Sequence, residues 1–488
     1  MIHKMRALIP IALIAAILMQ PHSVLARDDL PWLGDASSSA VSLEQEKMLG
    51  SIWLKMFRSR IEAHRDPVLQ DYLENLLFNL ATYSELSEAE LTLVLIDNPS
   101  MNAFAVPGGV IGVHTGIFIY ADNEDQLATV LSHELAHLSL RHYARRLENS
   151  KNQAKVNMAG LLAAVVLAAT AGGDAATAAL MTTQAASLQS QLAYSRSHEQ
   201  EADREGIKTM QRADRDATQA AAMFENMLRA TRYTGSRPPE YLLTHPVTER
   251  RIADARNRAG YKSSNLLQRN SASDYSLLRS RARSSSWRTP QQGLEAFKAE
   301  AANTLQASDS HHAAQYGIAL MEMQLGAFDS ARESLAQLAE KRPNSQLIIH
   351  TQLEVELASG NHAQVITALE RQLQRQPDNY PAQMLLGEAH WLAGNSAISA
   401  LVYENLARQR PEDPAVWYQL AEVRGLAGDI AGVHAARAEY FILNGVFDRA
   451  REQIGLALSL LSSDFKRSAV LSQRLKDLDE YQLRAERL

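Results

Sequence analysis

The sequence predicts a mainly α protein in two parts, a helical N-terminal domain with one small β-sheet and a C-terminal α-solenoid. Two observations carry this. Apolar residues recur at helical spacing through residues 42–260, broken by one β-branched stretch and one Pro-Gly-Gly turn. Farther on, Gly326, Gly360, Gly394 and Gly428 stand 34 residues apart, and so do Pro343, Pro377 and Pro411. A 34-residue period with a mid-unit Gly and an end-of-unit Pro is the tetratricopeptide pattern, whose helix pairs stack on their neighbours.

At 488 residues and 46% hydrophobic, the chain is long enough for at least two cores. A formal net charge of −6 argues against nucleic acid as a partner. Cysteine is absent. Thiolate metal sites, disulfides and thiol nucleophiles are therefore excluded, and His, Asp and Glu remain as the strong metal ligands.

The N-terminal elements follow in order. Residues 1–26 join a basic start (His3, Lys4, Arg6) to an apolar stretch from Ala7 to Met19, with Val24 and Ala26 at small-residue spacing. This is the pattern of an export signal cleaved after Ala26. A membrane anchor is the alternative, but the stretch is shorter than the roughly 20 residues a bilayer needs. Ser42 and Gln45 form a capping box, so a helix starts near Leu43. A second helix spans Pro67–Tyr83, and the alternating run Leu91–Asp97 reads as a strand. Two apolar runs within Asn102–Thr115 flank Pro107, Gly108 and Gly109, which predicts a hairpin or sharply bent strand pair. Asn123 caps the next helix, with Leu127, Leu131, Leu135 and Leu138 as its apolar stripe.

Met158–Ala171 is uncharged but too short to cross a bilayer. It reads as a packed or lid-like helix, with a peripheral membrane contact as the alternative. Helix resumes at Ser187 and runs past Met227. The Ser- and Arg-rich stretch from Tyr261 to Pro290 reads as a solvated linker or domain junction. The expected domains are thus 27–262, a junction at 263–290, and repeats at 291–488. In the repeats, GAFDSAR at Gly326 and GVFDRAR at Gly445 echo each other, which suggests a helix pair displaced in phase.

The chemistry lies on the Asn123-capped helix, at SHELAHLS. His133 and His137, four apart, stand one above the other on a helix and can converge on one ion at about 2 Å. Glu134 projects beside that ion, where it can take a proton from a metal-activated water. Some sixty residues on, AYSRSHEQEADREG offers Glu199 as a third ligand, and Asp203 one turn later can orient a histidine through its free ring nitrogen. Glu201 and His198 remain rival ligands by periodicity.

HELAH at His133, SRSHEQEAD at Ser195, NAFAVPGG at Asn102 and THPVTERRI at Thr244 together resemble the gluzincin metallopeptidases, the family of the CAAX prenyl proteases and bacterial membrane heat-shock proteases. With the leader and the repeats, the chain is similar to the family's periplasmic branch over Ser42–Leu488. The resemblance implies one Zn2+ per chain and a helical peptidase domain. Its Ser-Arg-x-x-Glu pattern implies Glu199, not Glu201, as third ligand. It implies that Asn102, Ala103, Phe104, Ala105 and Val106 pair with extended substrate, and that His245 can take a fourth metal position. Arg251 follows in the same His-Pro segment, with an internal ion pair as its alternative role, while His245 could instead be a surface loop histidine. The implied activity is periplasmic endoproteolysis in outer-membrane β-barrel quality control and assembly. Unfolded or stalled outer-membrane β-barrel proteins and the barrel-assembly machinery are the implied partners. A chaperone or assembly adaptor with little proteolysis is the alternative; a structural zinc site fits poorly, since such sites favour cysteine ligands. The family's transmembrane helices are not carried over.

Overall fold

The computed structural model describes residues 41–61, 66–87, 90–149, 196–233, 239–260 and 274–486. The expected export signal and the apolar run Met158–Ala171 lie outside the described residues. Among those described, no helix is long and apolar enough to cross a membrane.

Helix α1 (Leu43–Arg58) starts at the expected capping box: Gln45 N–H donates to Ser42 Oγ at 3.1 Å, and Ser42 N–H donates to Gln45 Oε1 at 2.9 Å. Helix α2 (Pro67–Thr82) is capped by Asp66, which accepts from the Val68 and Leu69 amides. Strands β1 (Thr92–Ile96), β2 (Ala103–Val106) and β3 (Val110–His114) form one sheet in the order β1-β3-β2. The β2–β3 pair is the expected hairpin, turned through Gly108 and Gly109 at φ 83° and 85°. Strand β1 pairs in parallel with β3, a partner that local pattern did not indicate. This leaves β2 as an edge strand.

After the short α3 (Ile117–Tyr120), helix α4 (Glu124–Ser139) is capped by Asn123 Oδ1, which accepts from Gln126 N–H at 3.0 Å. Burial extends beyond the predicted stripe, since every residue from Asp125 to His137 is buried. Helix α5 (His142–Asn149) follows a turn at Arg141, φ 48°. The long helix expected to run past Met227 is instead two, α6 (Arg196–Arg212) and α7 (Gln219–Tyr233). Between them Asp214 adopts φ 54°, and Asp216 Oδ1 accepts from Thr218 N–H in a side-chain turn. Asp is among the few side chains that tolerate both roles. Short α8 (Glu240–Thr244) and α9 (Glu249–Arg258) complete this part.

The stretch read as linker or junction contains helix α10 (Tyr275–Ser284), with Tyr275, Leu277, Leu278 and Ala282 in the core. This helix is packed, not solvated, while residues 261–273 lie outside the described residues. Ten helices follow: α11 (Pro290–Ala302), α12 (Asp309–Gln324), α13 (Phe328–Lys341), α14 (Gln346–Ala358), α15 (His362–Arg375), α16 (Tyr380–Leu392), α17 (Ser396–Gln409), α18 (Pro414–Leu426), α19 (Ile430–Leu443) and α20 (Phe447–Leu460). The four glycines of the 34-residue register turn their pairs at φ 74–92°, and Gly445, at φ 68°, turns the displaced pair α19–α20. Helix α21 (Phe465–Glu486) closes the array.

The array is fastened to the first part. One core runs from Leu69 and Leu131 through Tyr275 to Phe297, Tyr316 and Ile348. Within it Arg281 donates to Asp66 Oδ2 at 2.7 Å and, through both terminal nitrogens, to Glu354 at 2.7 and 2.8 Å. Arg410 donates to both carboxylate oxygens of Glu74, and Lys55 lies 4.7 Å over the Tyr481 ring.

Arg281→Ala leaves two half-buried carboxylates without their cation, so it is expected to lower the unfolding free energy by about 1–3 kcal/mol. Denaturant titration checks this, and a loss below about 1 kcal/mol would remove the network as a structural element.

Candidate metal centre

The site forms where α6 crosses α4. Gly206 lies against the α4 backbone, where an added Cβ would come 3.2 Å from His133 N. That close approach brings the acidic face of α6 up to the histidines. His133 and His137 Nε2 are 3.0 Å apart, and Glu199 stands 3.5 Å from each. His245, the C-cap of α8, puts Nδ1 3.4 Å from His133 Nε2 and 3.0 Å from Glu199 Oε1. One atom from each of these four buried residues lies within 4.8 Å of the others.

These spacings test whether a metal fits. A tetrahedral zinc holds N and O ligands at about 2.0–2.1 Å, which sets ligand atoms about 3.4 Å apart. The observed contacts of 3.0–3.5 Å match such edges. Glu134 gives an independent test. It is fully buried, and neither carboxylate oxygen has a hydrogen-bond partner among the described residues. A bare buried carboxylate is costly, so its place beside the cluster fits a polar group held by the cation. His245 Nε2 lies 3.7 Å from it.

The surrounding residues orient the cluster. Asp203 Oδ1 is 3.0 Å from His133 Nδ1, the nitrogen turned away from the other ligands. Arg251 grips Asp203 with two bonds of 2.7 Å, reaches Glu199 Oε2 at 2.9 Å, and donates to Pro246 O at 2.9 Å. It is therefore in an internal ion pair, and that pair also ties the His245–Pro246 turn to α6. Burial works against ionisation of Glu199, but His245, His133 and His137 hold its carboxyl well below the usual range. Asp203 is likewise lowered by His133 and Arg251 against its burial. Burial alone would depress His133, yet Asp203 and Glu199 raise it to about 9, while burial pushes His137 down to about 3. The centre is a buried cluster of histidines and carboxylates that could hold a cation.

The rival ligands fall elsewhere. Glu201 meets Arg145 at 2.7 Å and His142 at 3.3 Å, and His198 stacks on His142 with centroids 4.4 Å apart. Two steps along a helix turn a side chain about 200°, so Glu201 points away from the face that Glu199 shares with Asp203. Asn102 to Val106 lie along the sheet edge, with Asn102 O accepting from His114 N–H. Sequence reasoning missed His142 and Tyr241. Tyr241 stacks on His245 at 4.6 Å, one helical turn before it, a spacing that could have marked it.

Residues 67–259 match peptidase family M48. The beta-barrel assembly-enhancing protease of Escherichia coli (strain K12) is 31% identical over 461 residues, 94% of this chain and 92% of that protein. The chain belongs to peptidase family M48. A protein of the same name in Yersinia pestis is 30% identical over 430 residues, 87% of this chain and 86% of its own. A mitochondrial metalloendopeptidase of Schizosaccharomyces pombe is 30% identical over 181 residues, 37% of this chain and 50% of its own. This M48 peptidase is accordingly a metalloenzyme, with its buried His/Glu cluster as the candidate centre.

Glu199→Ala is expected to lose stoichiometric metal, because one of few ligands goes. Glu201→Ala should still fill at saturating zinc. Elemental analysis of both checks this, and the reverse result would reassign the third ligand.

Proposed function

We propose that this M48 peptidase is a zinc endopeptidase of a Gram-negative-type periplasm. It acts in quality control and assembly of outer-membrane β-barrel proteins, and its tetratricopeptide-like array recruits the clients. The observation that carries the chemistry is Glu134, a buried carboxylate with no hydrogen-bond partner among the described residues, next to four convergent ligand atoms. The client class rests on the relatives, two of which are named for enhancing β-barrel assembly. The export pattern in residues 1–26 supports the compartment.

In this reading His133, His137 and Glu199 hold the zinc. Bound there, zinc supplies Lewis acidity and lowers the pKa of water toward neutrality. Glu134 takes the proton from the attacking water and delivers it to the leaving amine nitrogen as the peptide bond breaks. Asp203 keeps the His133 hydrogen on Nδ1, which leaves Nε2 free to ligate. The outer edge of β2, unpaired with any strand among the described residues and beside α4, accepts an extended client through backbone hydrogen bonds with little demand on its sequence. A cavity of about 540 Å³ between α2, β1 and the repeats, lined by Glu74, Tyr380, Tyr403, Arg410 and Glu412, supports a recruiting role for the array.

His245 supports a closed resting state. With Nδ1 among the ligand atoms and Nε2 toward Glu134, its ring occupies the space an attacking water needs. Motion of the His245–Pro246 turn, held by Arg251 and the Tyr241 stack, opens the site, and client binding can bias that two-state change. The same closure favours a second reading, an assembly adaptor that binds clients and seldom cleaves them.

Glu134→Gln should keep its zinc and lose cleavage of an unfolded substrate by at least about a hundredfold. Retained proteolysis would remove Glu134 as the base. His245→Ala should raise basal cleavage and self-cleavage with zinc still bound. Turnover slower by roughly tenfold or more would assign His245 to the oxyanion instead.

A further inference from the structure

Behind His137 lies a second buried histidine that the proposed mechanism does not use. The turn at Arg141, φ 48°, folds the chain back at the end of α4, so the first residue of α5 comes beneath the last turn of the metal helix. There His142, with no exposed surface, sets its Nδ1 2.9 Å from His137 Nδ1. Its other ring nitrogen, Nε2, lies 3.3 Å from Glu201 Oε2. Arg145 Nη1 holds that same carboxylate oxygen at 2.7 Å, and the His198 ring lies nearly parallel to His142, at 13°.

Two ring nitrogens 2.9 Å apart make a hydrogen bond only if one carries hydrogen and the other is bare. His137 turns Nε2 into the ligand cluster, and a nitrogen that binds a cation carries no hydrogen. Its hydrogen is therefore on Nδ1, and His142 Nδ1 is the acceptor. The hydrogen of His142 then sits on Nε2, where Glu201 accepts it. Every bond in the chain His137–His142–Glu201 runs in one direction, and Arg145 pairs with the carboxylate at its end.

We propose that His142, itself oriented by Glu201, is a positioning residue that fixes the tautomer and ring angle of His137 for metal binding. The inference rests on reading His137 as a ligand. The partner ligand His133 has Asp203 Oδ1 3.0 Å from its Nδ1; His137 meets an imidazole there, with the carboxylate one step farther out. Metal-bound histidines need such a partner, and its loss typically weakens binding by about 10–100-fold.

The test is zinc affinity by chelator competition, together with the visible spectrum of the Co(II)-substituted protein, in the full chain. His142→Phe keeps an aromatic ring against His198 but has no acceptor, and should weaken zinc about 10–100-fold and shift the Co(II) bands. His142→Asn sets its amide oxygen near the place of Nδ1 and should restore most of the affinity. Glu201→Ala, at a half-buried position, should weaken zinc several-fold with the fold intact by circular dichroism, and it carries the test should a His142 variant fail to fold. Unchanged affinity and spectrum in His142→Phe or in Glu201→Ala would overturn the proposal, as would a His142→Asn protein no better than His142→Phe. His137→Ala separates the two levels. If it binds zinc as tightly as the parent, the ligand reading itself fails; if it loses zinc while His142→Phe keeps it, only this inference falls.

Discussion

The centre depends on how closely α6 crosses α4. Gly206 lets the two backbones approach to a distance at which any side chain would press on Ser132 and His133. At that separation Glu199 and Asp203 both reach the histidines, one on the ligand side and the other behind His133. Charge-assisted contacts of 3.0–3.5 Å decay over fractions of an ångström in geometry, so a wider crossing would leave the carboxylates buried but unengaged. The glycine carries no chemistry itself. It sets the spacing on which the chemistry rests.

Buried charge explains the rest of the site. Glu134, Glu199 and Asp203 are carboxylates taken out of water, and the guanidinium of Arg251 contacts two of them. A cluster with more acidic groups than fixed cations attracts a metal ion, which restores the balance that burial upsets. Because Arg251 also bonds Pro246 O, the group that neutralises α6 also holds the turn carrying His245. The electrostatics of the candidate ligands and the position of the proposed plug are thus mechanically joined.

The repeat array is held by a different means. Solenoid units normally contact only their neighbours, which would leave an array free to swing from its first unit. Here the Arg281, Arg410 and Tyr481 contacts fasten it at its start, middle and end. The separation between the repeat helices and α2 and β1 is fixed as a result, and with it the cavity between them. Arg281 is the deepest of these ties. Residues from both parts bury it, and Tyr275–Ser284 of the Ser- and Arg-rich junction, polar by composition, packs as a core helix.

Local chemistry alone determined much of this protein. Capping residues at Ser42 and Asn123, glycines at the hairpin and repeat turns, and the four-residue spacing of His133 and His137 act over a few residues, so they are legible in order along the chain. The 34-residue period is legible for the same reason, since each unit repeats one local solution. The tertiary structure decided what depends on distant segments meeting. It set the parallel pairing of β1 with β3 and the burial of α10. It also turned Glu199 toward the histidines and Glu201 toward His142, although both are glutamates on one helix. Residue type and spacing are the same facts in either case; which face meets which neighbour is a property of helix packing, and packing is set by the whole core at once.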